Sequence, residues 1–552
     1  MRISAWGLLA ALLLLVHLPV HAQTSPPAAP VVTAGANLKE LTFDWDPVPG
    51  AYTYWLLERK NAGEPFTRIG VRIPGSRTRA AVFIAAHLFD WDSTRYAVTA
   101  CNTAGCTRSA PIDPKPLMLD VIGYVKASNT EPITPQWQPV VDNFGGGTAM
   151  SSDGSTLAVA AQGESSSASG VNGDQFNNDS ETSGAVYVYR RDGRRWRQEA
   201  YLKDLVDAPH MALGGWGGDG LAISGDGTWL AVGAQHETVN GQVAAGRVYL
   251  FHRDASGTWT VHSVHAAPVP AYANYFGLSL DMSEDGTLLQ VQVFVPGNGF
   301  EVQNTSEIHF FERNGMTWRH AEMLPTLFEG WYCGWSDLSG DGLTLIVSCH
   351  SEQILGDRLV TLKRIGGSWV RAHELALGAG NPVQPLALDH HAMHMATLEG
   401  SSSFSVVLHR WSGSAWVREV ALSAPGAGEG EDHNWGFPVA FSRDGRVVAI
   451  ADSASRVAGV GVLKTITRGA TAQGAVFVYR RAADRPLWRL RSVLKAPNAE
   501  EGREDRFGAS LSMSGNAHHL AVGAVFEDSN ARGIDGDRTN NESYDAGAVY
   551  LY

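Results

Sequence analysis

Short runs of alternating apolar and polar residues, separated by glycine-rich turns, extend over most of the chain. The segment Gly547-Ala-Val-Tyr-Leu-Tyr552 repeats earlier segments that begin at Gly184, Gly246 and Gly474. Each of them predicts a short buried β-strand, and no long stretch has the spacing of an amphipathic helix. The pattern therefore predicts an all-β fold made of repeated units, each of which buries its apolar face against its neighbours.

A second repeated feature is a polar turn between two of these strands. Its pattern is Ser-x-Asp-Gly, and it begins at Ser151, Ser224, Ser283, Ser339 and Ser442. Asp-Gly favours a tight hairpin, because glycine accepts a positive φ and aspartate caps the turn. Degenerate versions at Ser514 and Asp389 bring the number of predicted units to seven.

A tryptophan opens the fourth strand of six units: Trp196, Trp259, Trp318, Trp369, Trp416 and Trp488. The last unit ends before such a strand, and the segment from Leu119 to Ala127 aligns with the segment from Trp488 to Ala496. We therefore expect the segment around Leu119 to pair beside the final strand at Tyr552. Such pairing would remove the free edge of an open ring and close a seven-bladed β-propeller over residues 117–552. A stacked solenoid is the alternative architecture.

Phe-Gly pairs at Phe144, Phe276 and Phe507 open units, and Gly-Ala pairs at Gly233 and Gly523 close second strands. These pairs resemble the FG-GAP repeats of the integrin α-chain propeller and its bacterial relatives. The resemblance covers about residues 117–552 and implies a propeller that binds ligands through its loops. It is weakest in the fifth unit, which lacks both the Phe-Gly pair and the Asp-Gly turn.

The first 22 residues predict a signal peptide. Arg2 precedes an apolar run from Leu8 to Val16, and small residues stand near Ala22. A membrane span is the competing interpretation, but the run is short and Pro19 follows it. We therefore expect a secreted, periplasmic or cell-surface protein.

Residues 23–116 have a sequence pattern that differs from that of the repeats. A strand around Trp45, a tyrosine-rich second strand and a late Tyr96 before a hairpin resemble a fibronectin type III domain, a β-sandwich of the immunoglobulin-like class. In that family Trp45 would be the core tryptophan of strand B, and Tyr96 would be the tyrosine corner. The resemblance implies a spacer or an adhesive module.

Charge and cysteine content narrow the classes of function. The net charge of −13 argues against a nucleic-acid partner, and after the leader no run of 18 apolar residues predicts a transmembrane helix. The four cysteines form two close pairs, Cys101 with Cys106 and Cys333 with Cys349, each predicted to flank a hairpin. In an exported chain such pairs predict structural disulfides.

The longest predicted loops precede the Gly-Ala-Val strands of units one, six and seven, which are consecutive in a closed ring. Two of these loops match each other, and their oxygen-bearing side chains are candidate ligands for calcium: Asp174, Asn177, Asn178, Asp179, Asp535, Asp537, Asn540, Asn541 and Glu542. Integrin-type repeats bind calcium in a comparable loop, although the spacing here departs from their pattern. The alternative is that these side chains cap turns within their own loops.

Other candidate sites have weaker patterns. His390, His391 and His394 cluster in the fifth unit, but they straddle a predicted β-turn and lack a helical ligand spacing. The carboxylates Glu429, Glu431 and Asp432 offer the residue types of a glycosidase. No Gly-x-Ser-x-Gly, phosphate-loop or His-Glu-x-x-His motif is present in the sequence.

Together these features predict an exported, monomeric, non-enzymatic adhesion protein that recognises a protein or a surface polysaccharide through its loop-rich face. The alternatives are a polysaccharide-acting enzyme with a site in the central channel and a structural envelope protein. Carboxylates or histidines that converge on the channel with perturbed pKa values would favour the enzyme.

Overall fold

The computed structural model describes residues 25–131, 141–206, 209–215, 219–295, 305–324, 326–328, 331–351, 356–377, 383–400, 404–426, 434–482 and 487–552. The predicted signal peptide lies outside these ranges. Within them the regular structure consists of strands and one short 3-10 helix, Lys115–Leu117, so the predicted all-β class is confirmed. The chain forms two compact units. Residues 36–41, 82–89 and 116–552 belong to the larger one.

The first seven strands form two sheets, with the strand orders β1-β2-β5 and β4-β3-β6-β7. Trp45 packs edge-on against Tyr54, with ring centroids 5.1 Å apart, and the Tyr96 hydroxyl donates to Glu58 Oε1 at 3.1 Å. The strands are β1 (Val32–Asn37), β2 (Glu40–Trp45), β3 (Thr53–Arg59), β4 (Thr67–Pro74), β5 (Arg79–Phe83), β6 (Arg95–Asn102) and β7 (Gly105–Arg108).

The described residues of the larger unit form seven further antiparallel sheets, which we number one to seven along the chain. The first four contain β9 (Phe144–Met150), β10 (Thr156–Ala161), β11 (Ala185–Asp192) and β12 (Arg195–Leu202); β13 (Leu221–Ile223), β14 (Trp229–Ala234), β15 (Arg247–Arg253) and β16 (Trp259–His265); β17 (Ser279–Met282), β18 (Leu288–Val295), β19 (Thr305–Asn314) and β20 (Thr317–Met323); and β21 (Tyr332–Leu338), β22 (Thr344–Ser351), β23 (Gly356–Ile365) and β24 (Ser368–Leu377).

The last three contain β25 (Val383–Leu388), β26 (His394–Glu399), β27 (Ser405–Trp411) and β28 (Trp416–Ser423); β29 (Val439–Phe441), β30 (Val447–Asp452), β31 (Gly461–Leu463), β32 (Ala475–Arg481) and β33 (Trp488–Lys495); and β34 (Phe507–Met513), β35 (Leu520–Ala524), β36 (Ala548–Leu551) and, from early in the chain, β8 (Gly123–Val125). Strand β8 lies antiparallel to β36, with Tyr124 opposite Tyr550. The segment around Leu119 thus supplies the outer strand of the seventh sheet.

Each sheet is buried on both faces, which explains its nearly continuous apolar sequence. Leu157 and Val159 of β10 pack in one core cluster, whereas the alternate residues Ala158 and Ala160 pack in the next cluster with Leu230 of the second sheet. Successive side chains of a strand point to opposite faces, so one strand contributes to two cores. The sheets are therefore layered face to face.

The first strands of the seven sheets, which we call the inner strands, contact one another in a closed cycle: β9, β13, β17, β21, β25, β29, β34 and again β9. Each inner strand ends in the polar turn predicted from the sequence. Ser283 shows the bonding, because its hydroxyl donates to Asp285 Oδ1 at 2.6 Å and accepts from Leu288 N at 3.0 Å. Ala392 and Ala517 replace the turn glycine with φ values of 49° and 56°. This is the ring arrangement of a β-propeller.

Both predicted disulfides are present. Cys101 and Cys106 are directly opposite each other on β6 and β7, and Cys333 and Cys349 are opposite each other on β21 and β22. Each bond therefore links the two strands of one hairpin, as the spacing of the cysteines predicts.

A buried ion pair holds the early strand β8 in the seventh sheet. Lys126, the residue after this strand, lies 2.8 Å from Glu527, and the two side chains are 0% and 2% exposed. The Glu527 carboxylate also accepts hydrogen bonds from the Tyr124 hydroxyl at 2.8 Å and from Asn498 Nδ2 at 3.0 Å. Burial lowers the pKa of Lys126, and the charge of Glu527 opposes that shift. The pair joins chain segments 401 residues apart.

Candidate functional site

The inner strands carry an unexpected pair of acidic side chains. The residue two positions before the turn is Ala149, Ala222, Asp281, Asp337, Ala387, Ala440 and Ser512 in sheets one to seven. The other five side chains are small and carry no ionisable group, and three of them, Ala149, Ala222 and Ala387, pack in the apolar clusters between sheets. The two aspartates occupy this position on neighbouring sheets, β17 and β21.

Main-chain N–H groups of the following inner strand orient both carboxyl groups. Leu338 N donates to Asp281, and Leu388 N donates to Asp337 Oδ2 at 2.7 Å. An innermost strand has one edge without a partner strand, so its N–H groups need other acceptors. One role of each aspartate is therefore to join its sheet to the next.

A third carboxyl group, Asp219, lies just before β13 and interacts electrostatically with the other two. Burial raises the pKa of Asp337 to about 7 and that of Asp219 to about 6. Burial, followed by the charges of Asp337 and Asp219, raises the pKa of Asp281 well above its ordinary value. Protein atoms crowd around all three carboxyl groups, and this crowding raises their pKa values. Water still reaches the residues, because Asp219 is exposed and the other two are partly exposed.

This arrangement has the protonation states that acid–base catalysis requires. Burial and the charges of its neighbours favour the protonated form of Asp281, whereas Asp219, with a pKa of about 6, is mostly ionised at neutral pH. A protonated and an ionised carboxyl group close enough to perturb each other can act as general acid and general base. Carboxyl groups that interact this strongly titrate as a set.

An exposed aromatic side chain stands on the same strand as Asp337. Trp335 is 46% exposed and stands two residues before Asp337 on β21. The bulge of this strand precedes Trp335, and the pairing from Trp335 to Asp337 is regular, so both side chains project from the same face. An exposed indole offers a flat apolar surface with a polar N–H group.

The structure places the predicted calcium ligands in two loops that match bond by bond. Asp174 Oδ1 accepts from Phe176 N at 3.0 Å, and Asp537 Oδ1 accepts from Thr539 N at 2.9 Å. The oxygen of Asn177 accepts from Ser167 N at 2.8 Å, as the oxygen of Asn540 accepts from Asn530 N at 3.0 Å.

The remaining candidates in these loops also have partners within the protein. Asn178 and Asn541 donate to Glu131 and Glu500, Asp535 accepts from Tyr124 N, and Glu542 accepts from Asn530. At Asp179 the main-chain N–H, and not the carboxylate, makes the bond, which goes to Asn177 Oδ1. Among the described residues, no three His, Cys, Asp or Glu side chains are grouped so that they could hold a metal ion. These hydrogen bonds support the interpretation of the loops as turns, and calcium binding stays a prediction.

Asn177→Ala is expected to lower the free energy of unfolding by about 1 kcal/mol, because three donors, Ser167 N, Ser167 Oγ and Asp179 N, lose their hydrogen-bond acceptor. Asn178→Ala, which removes one exposed contact, is the matched control and should change stability by less than about 0.5 kcal/mol. Urea unfolding in calcium and in EGTA measures both. A stability gain from calcium that disappears in Asn177→Ala would instead establish a calcium site.

The three clustered histidines face three different carboxylates. His390 Nδ1 lies 3.0 Å from Glu284, His391 Nδ1 lies 3.1 Å from Asp341, and His394 Nδ1 lies 2.7 Å from Asp389. The structure therefore does not bring them together as ligands of one metal ion. The carboxylates Glu429, Glu431 and Asp432 lie outside the described residues.

No family model matches the sequence, and no curated protein matches it. Several solved structures are similar to the chain at low sequence identity. The β-propeller domain of Cps50 (Swd1) from Myceliophteria thermophila has a TM-score of 0.42 and 11% identity, covering 74% of this chain and 96% of its own. The periplasmic gluconolactonase of Pseudomonas aeruginosa has a TM-score of 0.38 and 14% identity, covering 80% and 96%. The oligogalacturonate lyase of Vibrio parahaemolyticus has a TM-score of 0.39 and 10% identity, covering 78% and 96%.

The prediction of a non-enzymatic protein is corrected, because enzymes are among these matches. At such TM-scores the matches do not assign an activity to the chain. The prediction rested on the absence of a local catalytic motif, and it overlooked carboxyl groups that come together from separate sheets. Among the described residues, no helix is long and apolar enough to cross a membrane.

Proposed function

We propose that the chain is an exported enzyme that cleaves a polysaccharide or oligosaccharide by acid–base catalysis at the centre of a seven-bladed propeller. The observation that carries the proposal is the pair of carboxyl groups with raised pKa values on neighbouring inner strands, Asp281 and Asp337. Two disulfides support export, since such bonds persist in oxidising compartments.

In the proposed reaction Asp281 is the general acid. Its proton goes to the glycosidic oxygen as the bond from that oxygen to the sugar carbon breaks. Asp219 is the general base, which takes a proton from the attacking water, and Asp337 keeps Asp281 protonated through its negative charge. Water supplies the hydroxyl group of one product, so the step is a balanced hydrolysis.

The substrate class follows from what lies beside the acid. Trp335 projects from the same face of β21 as Asp337, and an exposed indole stacks readily on the apolar face of a sugar ring. The sugar hydroxyl groups then find hydrogen-bond partners in the carboxyl groups around it. This combination of a ring and acids suits a carbohydrate better than an apolar ligand.

The test is a screen of the full chain against neutral and acidic polysaccharides, with the release of new reducing ends as the measurement. The Asp281→Asn/Asp337→Asn double variant is the control, because it keeps the side-chain shapes and removes both carboxyl groups. We expect products from the wild type alone. Binding of a polysaccharide by both proteins without products from either would overturn the proposal.

A further inference from the structure

The turns at the ends of the inner strands form a ring of their own. Main-chain hydrogen bonds of 2.7–3.1 Å connect each turn to the next one from sheet one to sheet five. Bonds of the same kind connect the turn of sheet six to that of sheet seven, and the turn of sheet seven to that of sheet one. These bonds run from Asp153 N to Gly225 O, Gly225 N to Glu284 O, Glu284 N to Gly340 O, Asp341 N to His390 O, Arg443 N to Gly515 O and Gly515 N to Ser152 O. Between sheets five and six, Arg443 Nη2 donates to His390 Nε2 at 3.0 Å.

Glycine at three of these turns is a requirement of close packing. A Cβ atom at Gly225 would lie 2.9 Å from the carbonyl oxygen of Glu284, one at Gly340 would lie 2.6 Å from His390 Nδ1, and one at Gly515 would lie 2.4 Å from the hydroxyl of Ser152. At these three places the neighbouring turns are therefore in direct contact.

Three side chains meet at Glu284 inside this ring of turns. The Ser152 hydroxyl donates to Oε1 at 3.0 Å, His390 Nδ1 lies 3.0 Å from the same oxygen, and Arg443 Nη1 lies 3.0 Å from Oε2. These residues belong to sheets one, three, five and six. Glu284 of sheet three thus contacts side chains of sheets one, five and six, none of which is a neighbour of sheet three in the ring. These side chains can meet only across the axis of the ring.

The bond from Arg443 also sets the protonation of the histidine. Because His390 Nε2 accepts from the guanidinium group, the ring proton of neutral His390 lies on Nδ1, whose 3.0 Å contact with Glu284 Oε1 lacks the geometry of a hydrogen bond. Burial lowers the pKa of His390, which favours this neutral form. We call the four side chains of Ser152, Glu284, His390 and Arg443 the axial cluster.

We infer that the axial cluster closes the turn end of the central channel, so that the proposed enzyme attacks its carbohydrate at a chain end. This inference rests on the proposed function. Asp281 and Asp337 stand two residues before their turns, which places them roughly 7 Å from the closed end. That depth admits the end of a polysaccharide chain. A polysaccharide bound along its length would need a second opening at the turn end of the channel.

The axial cluster is therefore a specificity determinant that does not touch the reacting atoms. Arg443 has the most accessible ionisable side chain of the cluster, at 53% exposed, whereas those of Glu284 and His390 are 22% and 7% exposed. Its removal should open the turn end with the least damage to the ring, because its main-chain hydrogen bond to Gly515 remains.

The first test follows product length with the wild-type chain and a polysaccharide that it cleaves. We expect one short product from the first time point and a slow fall in viscosity. A rapid fall in viscosity with mixed product lengths would overturn the inference and leave the proposed function intact. If the wild type and the Asp281→Asn/Asp337→Asn variant both fail to cleave, the proposed function fails, and the next measurement still tests the closed end.

The second test needs no activity. All four natural cysteines are in disulfides, so Ala440→Cys places a single free thiol at the level of the two aspartates. We expect its reaction with a bulky maleimide to become faster when Arg443→Ala is added, because the reagent then gains a second entrance at the turn end besides the end through which the substrate enters. Ser256→Ala, a change on an exposed hairpin of the second sheet, is the control and should leave the rate unchanged. An unchanged rate in the Arg443→Ala background would show that the cluster is not a barrier.

Discussion

Glu527→Ala is expected to lower the free energy of unfolding by about 3–5 kcal/mol, because it leaves Lys126 buried without its ionic partner. Tyr124 and Asn498 lose their acceptor at the same time, and each buried donor without a partner adds to the cost. The affected residues join β8 to the last sheet, so the loss falls on the contact between distant parts of the chain. Urea unfolding followed by tryptophan fluorescence measures the effect.

Two comparisons separate the buried pair from ion pairs in general. Arg446→Ala removes an exposed partner that lies 3.9 Å from Asp444, and it should cost less than about 1 kcal/mol. The double variant Lys126→Met/Glu527→Gln removes both charges but keeps an acceptor for Tyr124, so it should be clearly more stable than Glu527→Ala. Equal stability of Glu527→Ala and Arg446→Ala would contradict the role assigned to the pair.

The sequence predicts the repeated strands and turns well because their physics is local. A Ser-x-Asp-Gly turn bonds to itself, as Ser283 and Asp285 show, and therefore forms wherever the pattern occurs. The start of each unit is harder to recognise. Trp435-Gly436 and Leu213-Gly214 have the same positive φ values, 90° and 93°, as the Gly of the Phe-Gly pairs, although their sequences differ. What the fold requires there is a large apolar residue followed by a left-handed glycine.

The candidate site was not predicted, because its residues come from separate sheets. Asp281 and Asp337 are 56 positions apart in the sequence, and no spacing rule connects them. One signal could have found them, since aligning the seven turns places both two residues before the turn, where the other units have Ala or Ser. Asp219 lies outside that alignment, and only the folded ring brings it near the other two.

Loop length points to a different part of the ring from the carboxyl groups of the inner strands. The long loops of units one and seven contain many Asp and Asn residues, yet their side chains stabilise the loops themselves, as Asn177 and Asn540 show. Composition cannot distinguish a carboxylate that caps a turn from one that acts on a ligand, because both are polar groups on a loop. The hydrogen-bond partners make that distinction.

Asp281→Asn is expected to reduce kcat of the proposed hydrolysis by about 10²–10⁴-fold, because the leaving oxygen loses its proton donor. The wild-type pH profile should be bell-shaped. Activity rises as Asp219, with a pKa of about 6, becomes ionised, and it falls at higher pH as Asp281, whose pKa is raised by burial and by the charges of Asp337 and Asp219, loses its proton. Initial rates across the pH range measure both limbs.

Asp337→Asn tests whether Asp337 acts by raising the pKa of Asp281 or takes part in proton transfer itself. The negative charge of Asp337 raises the pKa of Asp281, so removing that charge should move the falling limb of the profile to lower pH. The variant keeps an acceptor for Leu388 N, so its unfolding midpoint should match the wild type. Ser512→Ala, at the same level on the seventh sheet, is the matched control with an unchanged profile. If Asp337→Asn alters kcat without moving the falling limb, Asp337 does not act through Asp281, and the acid must be assigned elsewhere in the ring.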